Sequence, residues 1–420
     1  MDNATNKISK SVAIIGGGAA GLMSAYHAKL NHPDYHVSLY EKNAYVGAKV
    51  IISGGGRCNV TTGILDLKKV LQNYPRGAEF LRTAMQNFPP EAVISWFESQ
   101  GVPLKTEEDL RVFPISNNGK HVVGALENAL QELGVEIHCN THITEISKTS
   151  AGFLIETKAG PKPLVDTIIL TTGGNAYRQT GSTGDGYAFA KNLGHTITEL
   201  APSLSNFHIQ EKWAQELSGI SFKKAKLTFI SADHQDHFER TGPFLFTHKG
   251  VSGPAIFALS GMAAYQKFDT SKPAHLQIDF FPDQNSEKLD QQLQELFQTN
   301  PGKKITNIIA LLLPSRLAEN LTQLAHLPEN LTPANLSKSQ RHTLLNILKS
   351  TPLQLIGRGA GDEFVTAGGV PLSEVDHQTM QSKICPGLFF AGEILDIDGF
   401  TGGFNLQASW ATGALAGESI

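Results

Sequence analysis

The sequence predicts an α/β protein. A Rossmann-like dinucleotide-binding domain is assembled from both ends of the chain and interrupted by an inserted β-barrel with a helical bundle. Three observations carry this. Val12-Ala-Ile-Ile-Gly16-Gly-Gly18-Ala-Ala-Gly21 is a short apolar run entering a glycine turn and then a helical composition. The pattern of an apolar strand followed by glycines returns at Val165–Gly174 and at Leu388–Glu393. From about residue 199 the texture changes to β segments without βαβ spacing, then to Leu/Gln/Asn-rich helices, before the glycine motifs resume.

In the first motif, Val12 to Ile15 reads as a buried parallel strand. Gly16 and Gly18 make the tight turn and let backbone approach a pyrophosphate. The amides of Ala19, Ala20 and Gly21 begin a helix facing the phosphates. A second apolar run, Val37 to Tyr40, ends in Glu41, roughly 20 residues past the last glycine, where an acid takes ribose hydroxyls. Lys42 and Lys49 are counted with this contact set. A purely structural βαβ turn does not explain three glycines and the acid together.

Composition bounds the rest. Residues Met1 to Lys10 are polar and read as frayed. No signal-peptide pattern follows, and no run approaches the roughly 18 apolar residues of a membrane span, so the expectation is a soluble, cytoplasmic protein. A formal net charge of −4 argues against a globally basic nucleic-acid binder, though not against a local basic patch. Cys58, Cys139 and Cys385 form no CxxC pair, which fits a reducing compartment. The histidine spacings give no metal set.

Along the chain, Ser53-Gly54-Gly55-Gly56-Arg57-Cys58-Asn59 has two readings. It is a flexible linker, or a second backbone wall with Ser53 and the glycine amides toward a pyrophosphate and Arg57 to Asn59 toward the reactive ring. Cys58 is either reactive or packed. Residues 64 to 104 read as helices, with Phe80, Leu81, Ala84, Met85 and Phe88 at core spacing and a new helix starting at Pro89-Pro90. His121 to Leu133 reads as an amphipathic helix, and segments near 134–138, 143–146, 153–157 and 165–170 as strands. Asp185 reads as a helix N-cap or a cofactor contact, the cap being favoured.

The stretch AKVIISGGGRCNVT resembles the signature of the BaiN/RdsA family of bacterial FAD-dependent oxidoreductases. That family includes a bile-acid enone reductase, a ribosomal RNA dihydrouridine synthase and proteins described as aminoacetone oxidases. Arg111-Val-Phe-Pro114, the strand entering Thr171-Thr172-Gly173-Gly174, Phe246-Thr-His248 with its following SGP, and PGLFFAGEILDIDGFTGGFNLQASWATG near the C-terminus resemble it too. The resemblance implies FAD in a two-dinucleotide-binding fold. Ile143 would pair its backbone with adenine, and Thr172, Gly173 and Gly174 would pack beside the ADP half. Gly392 and Glu393 would sit by the ribityl chain or pyrophosphate. The helix starting at Gly403, Phe404, Asn405 and Leu406 would aim its N-terminus at the flavin pyrimidine, where it favours the reduced ring.

No covalent-flavin pattern is recognisable, so the FAD is expected to be noncovalent. No second complete GxGxxG has its own acid, so NAD(P)H is expected as a transient co-substrate. The borders expected are 1–198 and 359–420 for the FAD domain. The insert spans 199–358, with a barrel over 199–283 and about 350–358 and a helical bundle over 284–349. Its Lys223, Lys224 and Lys226, and Lys303-Lys304, form two small basic clusters. The chemistry expected is hydride reduction of an activated C=C bond in a small molecule. Alternatives are dihydrouridine formation in ribosomal RNA, oxidation of an amine or aminoketone by O2, and flavin binding without turnover. His248 is either a proton donor or a loop histidine bonding backbone. Arg111 either holds a substrate anion or carbonyl, or pairs with Glu107, Glu108 or Asp109. No membrane partner is expected, and oligomeric state is left open.

Overall fold

The structure is a computed structural model, and it describes residues 10–359 and 363–420. The expected frayed lead falls, Lys10 apart, outside the described residues. The chain divides into two compact units, residues 1–202 with 364–420, and residues 203–363.

The first unit is built on a five-stranded parallel sheet. Its strands are β1 (Ser11–Ile15), β2 (His36–Tyr40), β3 (Glu136–His138), β4 (Thr167–Leu170) and β5 (Leu388–Phe390), in spatial order β5-β4-β1-β2-β3. Ile14 stands opposite Ile169 on one side and Leu39 on the other. Both faces of the central strands are covered, so they read as continuous apolar runs. Two small antiparallel sheets flank this one, and Ile143–Thr149 pairs with Gly152–Thr157 in one of them.

Three of the helices of this unit that begin directly after a glycine are α1 (Ala19–Asn31), α2 (Asp185–Asn192) and α3 (Phe404–Glu418). α1 and α3 carry buried residues around most of their circumference, because each is packed on several sides. They approach through small residues. A methyl carbon added at Gly413 would lie 2.6 Å from Ala20 O, and one at Gly417 would lie 2.4 Å from Ser24 O. The polar groups α3 buries are satisfied. Trp410 Nε1 donates to Val60 O at 2.9 Å, and Gln407 accepts from Thr61 Oγ1 at 2.6 Å while donating to Phe88 O at 2.8 Å.

The helix started by Pro89-Pro90 runs Pro90–Ser99 with proline in its first turn. In the helix before it Leu81, Ala84 and Met85 are buried, with Phe88 buried just after it, so that stripe is core. The helix expected from His121 begins at Gly119, capped by Asn118. One expectation is corrected. Gly184, in the left-handed region at φ 83°, is the N-cap of α2, and Asp185 is its first helical residue.

The second unit is a closed six-stranded barrel whose strands follow the order 207–209, 250–252, 237–247, 221–230, 274–279 and 351–358. Phe207, Phe229, Phe244 and Phe246 are fully buried in its core. Helices Ser286–Thr299, Ile305–Ile309, Ser315–Leu324 and Lys338–Lys349 lie in the connection between the last two strands. Leu289, Leu293 and Phe297 recur every four residues on the first of these, the spacing of one buried stripe. The fold class thus agrees with the sequence reading. Among the described residues no helix is long and apolar enough to cross a membrane.

Candidate functional site

A cavity opens in the first unit, at the ends of β1, β2 and β4 where the glycine turns lie. Its wall is made of backbone as much as side chain, and the three motif glycines serve it differently. Gly16 turns the chain at φ 110°, where an added carbon would stand 2.7 Å from Thr171 O. Gly21 lies so close to Gly16 O, 1.9 Å from an added carbon, that only glycine lets α1 pack there. Gly18 lines the cavity, and a carbon added to it would meet nothing within 4 Å. Its space is open on the cavity side.

Around this turn the polar groups are oriented. Glu41, buried, accepts from Gly17 N–H and from Asn43 N–H, each at 2.8 Å. Lys42 Nζ donates to Thr183 Oγ1 at 2.5 Å and Asp185 Oδ2 at 2.6 Å. Burial pushes the Asp185 carboxyl up, but hydrogen bonds from Lys42 and Thr183 and the charge of Lys42 outweigh it and leave it below the usual carboxylate range. Further along, Lys49 pairs with Glu393, whose other oxygen accepts from Thr366 N–H at 2.9 Å. Ala19, Ala20, Ile143, Thr172, Gly173 and Leu406 also line the cavity.

Four helices bring first-turn residues to this wall: α1 after Gly18, the short helix Ala48–Ile52, α2 at Asp185, and α3 at Leu406. All four begin at a glycine N-cap with no side-chain hydrogen bond to the first turn. Helix N-termini left without protein caps suit anionic groups. A buried carboxylate, an open glycine and uncapped helix ends fit a pyrophosphate-bridged dinucleotide.

Several expected contacts lie outside the cavity wall, and the packing says why. Ser53 Oγ turns back to Val50 O at 2.8 Å. Gly54 packs on Phe113, where an added carbon would lie 2.8 Å from the ring, while Gly55 and Gly56 are exposed. Arg57 stacks 3.8 Å over the Phe113 ring and pairs with Glu107 at 2.7 Å. Cys58 is fully buried, and burial pushes its thiol up to about 12. The Asn59 carboxamide accepts from Gly403 N–H at 2.8 Å and donates to Thr61 O at 3.1 Å, joining the two ends of the chain. Gly174 is crowded by Thr366 and Glu393, Gly392 by Ala20, and Gly403 by Thr61 O. Phe404 O accepts from Tyr74 OH at 2.6 Å, and Asn405 closes on the backbone of Gly399.

Arg111 Nε donates to Asp109 Oδ2 at 2.6 Å, and its other arm reaches Glu107 at 3.4 Å, which is the ion pair foreseen for it. His248 is exposed in the turn between the barrel strands 237–247 and 250–252. Among the described residues no group of three or more His, Cys, Asp or Glu side chains is placed to hold a metal ion. The sequence reading missed Gly17, Asn43, Thr141, His142 and Thr180 to Ser182 in the cavity wall. The glycine cluster around 181–184 was the one signal for the last of these.

Residues 10–419 match the HI0933-like protein Rossmann domain. The chain is 29% identical to the 3-dehydro-bile acid delta(4,6)-reductase of Clostridium scindens over 97% of this chain and 98% of that protein. It is 27% identical to the ribosomal RNA dihydrouridine synthase of Escherichia coli over 95% of each. Among solved structures, the 3-ketosteroid-delta4-(5alpha)-dehydrogenase of Rhodococcus jostii shares the fold with a TM-score of 0.51 at 14% identity, covering 99% of this chain and 98% of that one. A flavocytochrome c3 fumarate reductase shares it with a TM-score of 0.50 at 17% identity, covering 98% of this chain and 78% of that one. The protein is an enzyme, and it belongs to the HI0933-like family of FAD-dependent oxidoreductases.

Proposed function

We propose that the enzyme reduces a C=C bond conjugated to a carbonyl in a small molecule, with NAD(P)H as electron donor and noncovalent FAD in the cavity of the first unit. Glu41 would hold the adenosine ribose, and Gly18 with the first turn of α1 the pyrophosphate. Ile143 would lie at the adenine end, with Lys49, Glu393 and Leu406 farther along the wall. The bound flavin supplies a two-electron store that accepts hydride from a nicotinamide and yields it to an electron-poor carbon. The protein must then supply a proton and stabilise the enolate-like anion. His248 would donate that proton from an imidazole nitrogen, and Arg111 would stabilise the anion. Arg111 would have to exchange Asp109 or Glu107 for it. The inserted unit is assigned to substrate capture.

One observation carries the choice of a small molecule over ribosomal RNA. Three lysines of the insert's two basic clusters are paired with carboxylates: Lys224 with Asp283, Lys226 with Glu239 at 2.9 Å, and Lys304 with Glu329 at 3.9 Å. RNA binding draws on cations free to displace counterions from phosphates. The test is anaerobic reduction of the purified yellow protein by NADH and by NADPH, followed by reoxidation with enones, with ribosomal RNA transcripts, or with O2 and an amine. Bleaching by a nicotinamide and rapid reoxidation by an enone is expected. Reoxidation by the transcript alone would move the assignment to RNA. In the same assay His248→Ala should slow reoxidation by about 10²–10⁴ and leave reduction intact. Equal slowing of both half-reactions would withdraw the proton assignment.

A further inference from the structure

One stretch of the cavity wall is a loop whose only regular element is the short 3-10 helix Arg178–Thr180. Between Gly174 and α2 the chain runs through residues 175–184, and Thr180, Gly181 and Ser182 in it face the cavity. This strap holds an unusual path. Tyr177, Gly181 and Gly184 all adopt positive φ, at 55°, 99° and 83°. For Tyr177 that conformation is costly, of order 1–3 kcal/mol, and persists only where the surroundings impose it. Its ring stacks on Phe364 at 5.8 Å.

What imposes the path lies on the opposite bank of the cavity, in the residues just after Glu41. Lys42 Nζ reaches across to Thr183 Oγ1 and Asp185 Oδ2, and Thr183 Oγ1 itself donates to Asp185 Oδ1 at 2.8 Å. Asn43 Nδ2 donates to Thr180 O at 2.9 Å. Gly181 sits under this crossing. A carbon added to it would lie 2.6 Å from Asn43 Nδ2 and 3.3 Å from Lys42 Cε, so glycine is what lets the strap come down onto both side chains. Lys42 and Asp185 are partly shielded, with side chains 23% and 34% exposed. The ammonium of Lys42 is therefore neutralised by protein before any ligand is considered.

We propose that Lys42, Asn43, Thr183 and Asp185 form a clasp that fastens the 175–184 strap across the dinucleotide cavity, and that they govern how fast the cofactor leaves rather than contacting it. This rests on the reading of the cavity as the FAD site. The clasp is fastened at two points, by a charge-assisted pair at residue 185 and by a neutral hydrogen bond at residue 180. With the clasp open, residues 175–184 lose the contacts that fix Gly181, and the cavity loses one wall.

The test uses the FAD-loaded enzyme and two readouts. One is the rate of flavin release, followed as the rise of free-flavin fluorescence on dilution. The other is trypsin cleavage after Arg178, an exposed residue inside the strap. Lys42→Met and Asp185→Asn should each speed release about fivefold and open the Arg178 site to trypsin. The double variant should release flavin no faster than the faster single one, because both substitutions undo the same contact. The exchanged pair, Lys42→Asp with Asp185→Lys, should recover slow release. Should the charge variants fail to fold, Asn43→Ala opens the second fastening without a charge change and should raise both readouts. Faster release in Lys42→Met with no effect of Asp185→Asn, and no new cleavage, would show Lys42 acting on the cofactor directly and would overturn the clasp. Unchanged release and unchanged cleavage in all variants would also overturn it. A wild-type protein that binds no FAD would overturn the cavity reading instead, and cleavage after Arg178 would still decide the clasp.

Discussion

The helices that reach the cavity and two long helices of the inserted unit start in opposite ways. At the cavity of the first unit α1, α2 and α3 begin at Gly18, Gly184 and Gly403, none of which caps with a side chain. In the second unit the helices Ser286–Thr299 and Lys338–Lys349 are capped by Asn285 and Ser337, the latter in a reciprocal box with Gln340. The packing differs in the same sense. The barrel fills its centre with phenylalanines, whereas α1 and α3 press backbone on backbone through glycine and alanine. The two capped helices complete their own starts, and the barrel core is filled with large side chains. The helices at the cavity leave N–H groups over, and α1 and α3 come too close for side chains to intervene.

Three substitutions sharpen this contrast, measured by denaturant unfolding. Removing bulk should hurt the barrel most. Phe229→Ala empties a fully buried site against Phe207 and Phe268 and should cost about 3–5 kcal/mol. A cost below about 1 kcal/mol would mean that the barrel collapses around the gap. Adding bulk should hurt the first unit. Gly413→Ala gains up to about 1 kcal/mol of helix propensity, yet the new carbon meets Ala20 O at 2.6 Å. A net loss of about 1–3 kcal/mol is expected from overpacking, with weaker FAD retention. A gain in stability would show that the helix pair has slack and would break the comparison. Smallest is Ser337→Ala, which removes one cap and should cost about 1 kcal/mol. No loss would mean that the capping box is carried by Gln340 alone.

The sequence made the architecture legible because strand–glycine–helix–acid is a pattern with a physical requirement at each step. The barrel was legible from its alternating β segments, and the helix at Pro90 from the proline itself. The cavity wall was only partly legible, and the glycines explain the shortfall. A glycine is demanded equally by a positive φ, by a close neighbour and by a ligand. Gly54 serves Phe113, Gly392 serves Ala20, and Gly403 serves Thr61 O, while Gly18 alone of the first motif faces open space. One letter stands for all of these. Asp185 was similarly ambiguous, since an acid at a helix start suits the N-cap and the first turn alike. The left-handed backbone at Gly184 decided between them. The crossing from Lys42 to Asp185 spans 143 residues, and no local pattern announces such a pair.

The contact of α1 with α3 has a consequence for the order of synthesis. α1 leaves a ribosome before the whole insert, and β5 and α3 follow it. At about 5–20 residues per second the interval is on the order of tens of seconds. Throughout it the nascent α1 is without the helix that covers its Ala20 and Ser24 side, and the barrel gains its last strand before α3 is made. The second unit can therefore mature while the first is still a partly exposed intermediate, a natural client for a holding chaperone. Capture of the cofactor then waits until α3 has docked.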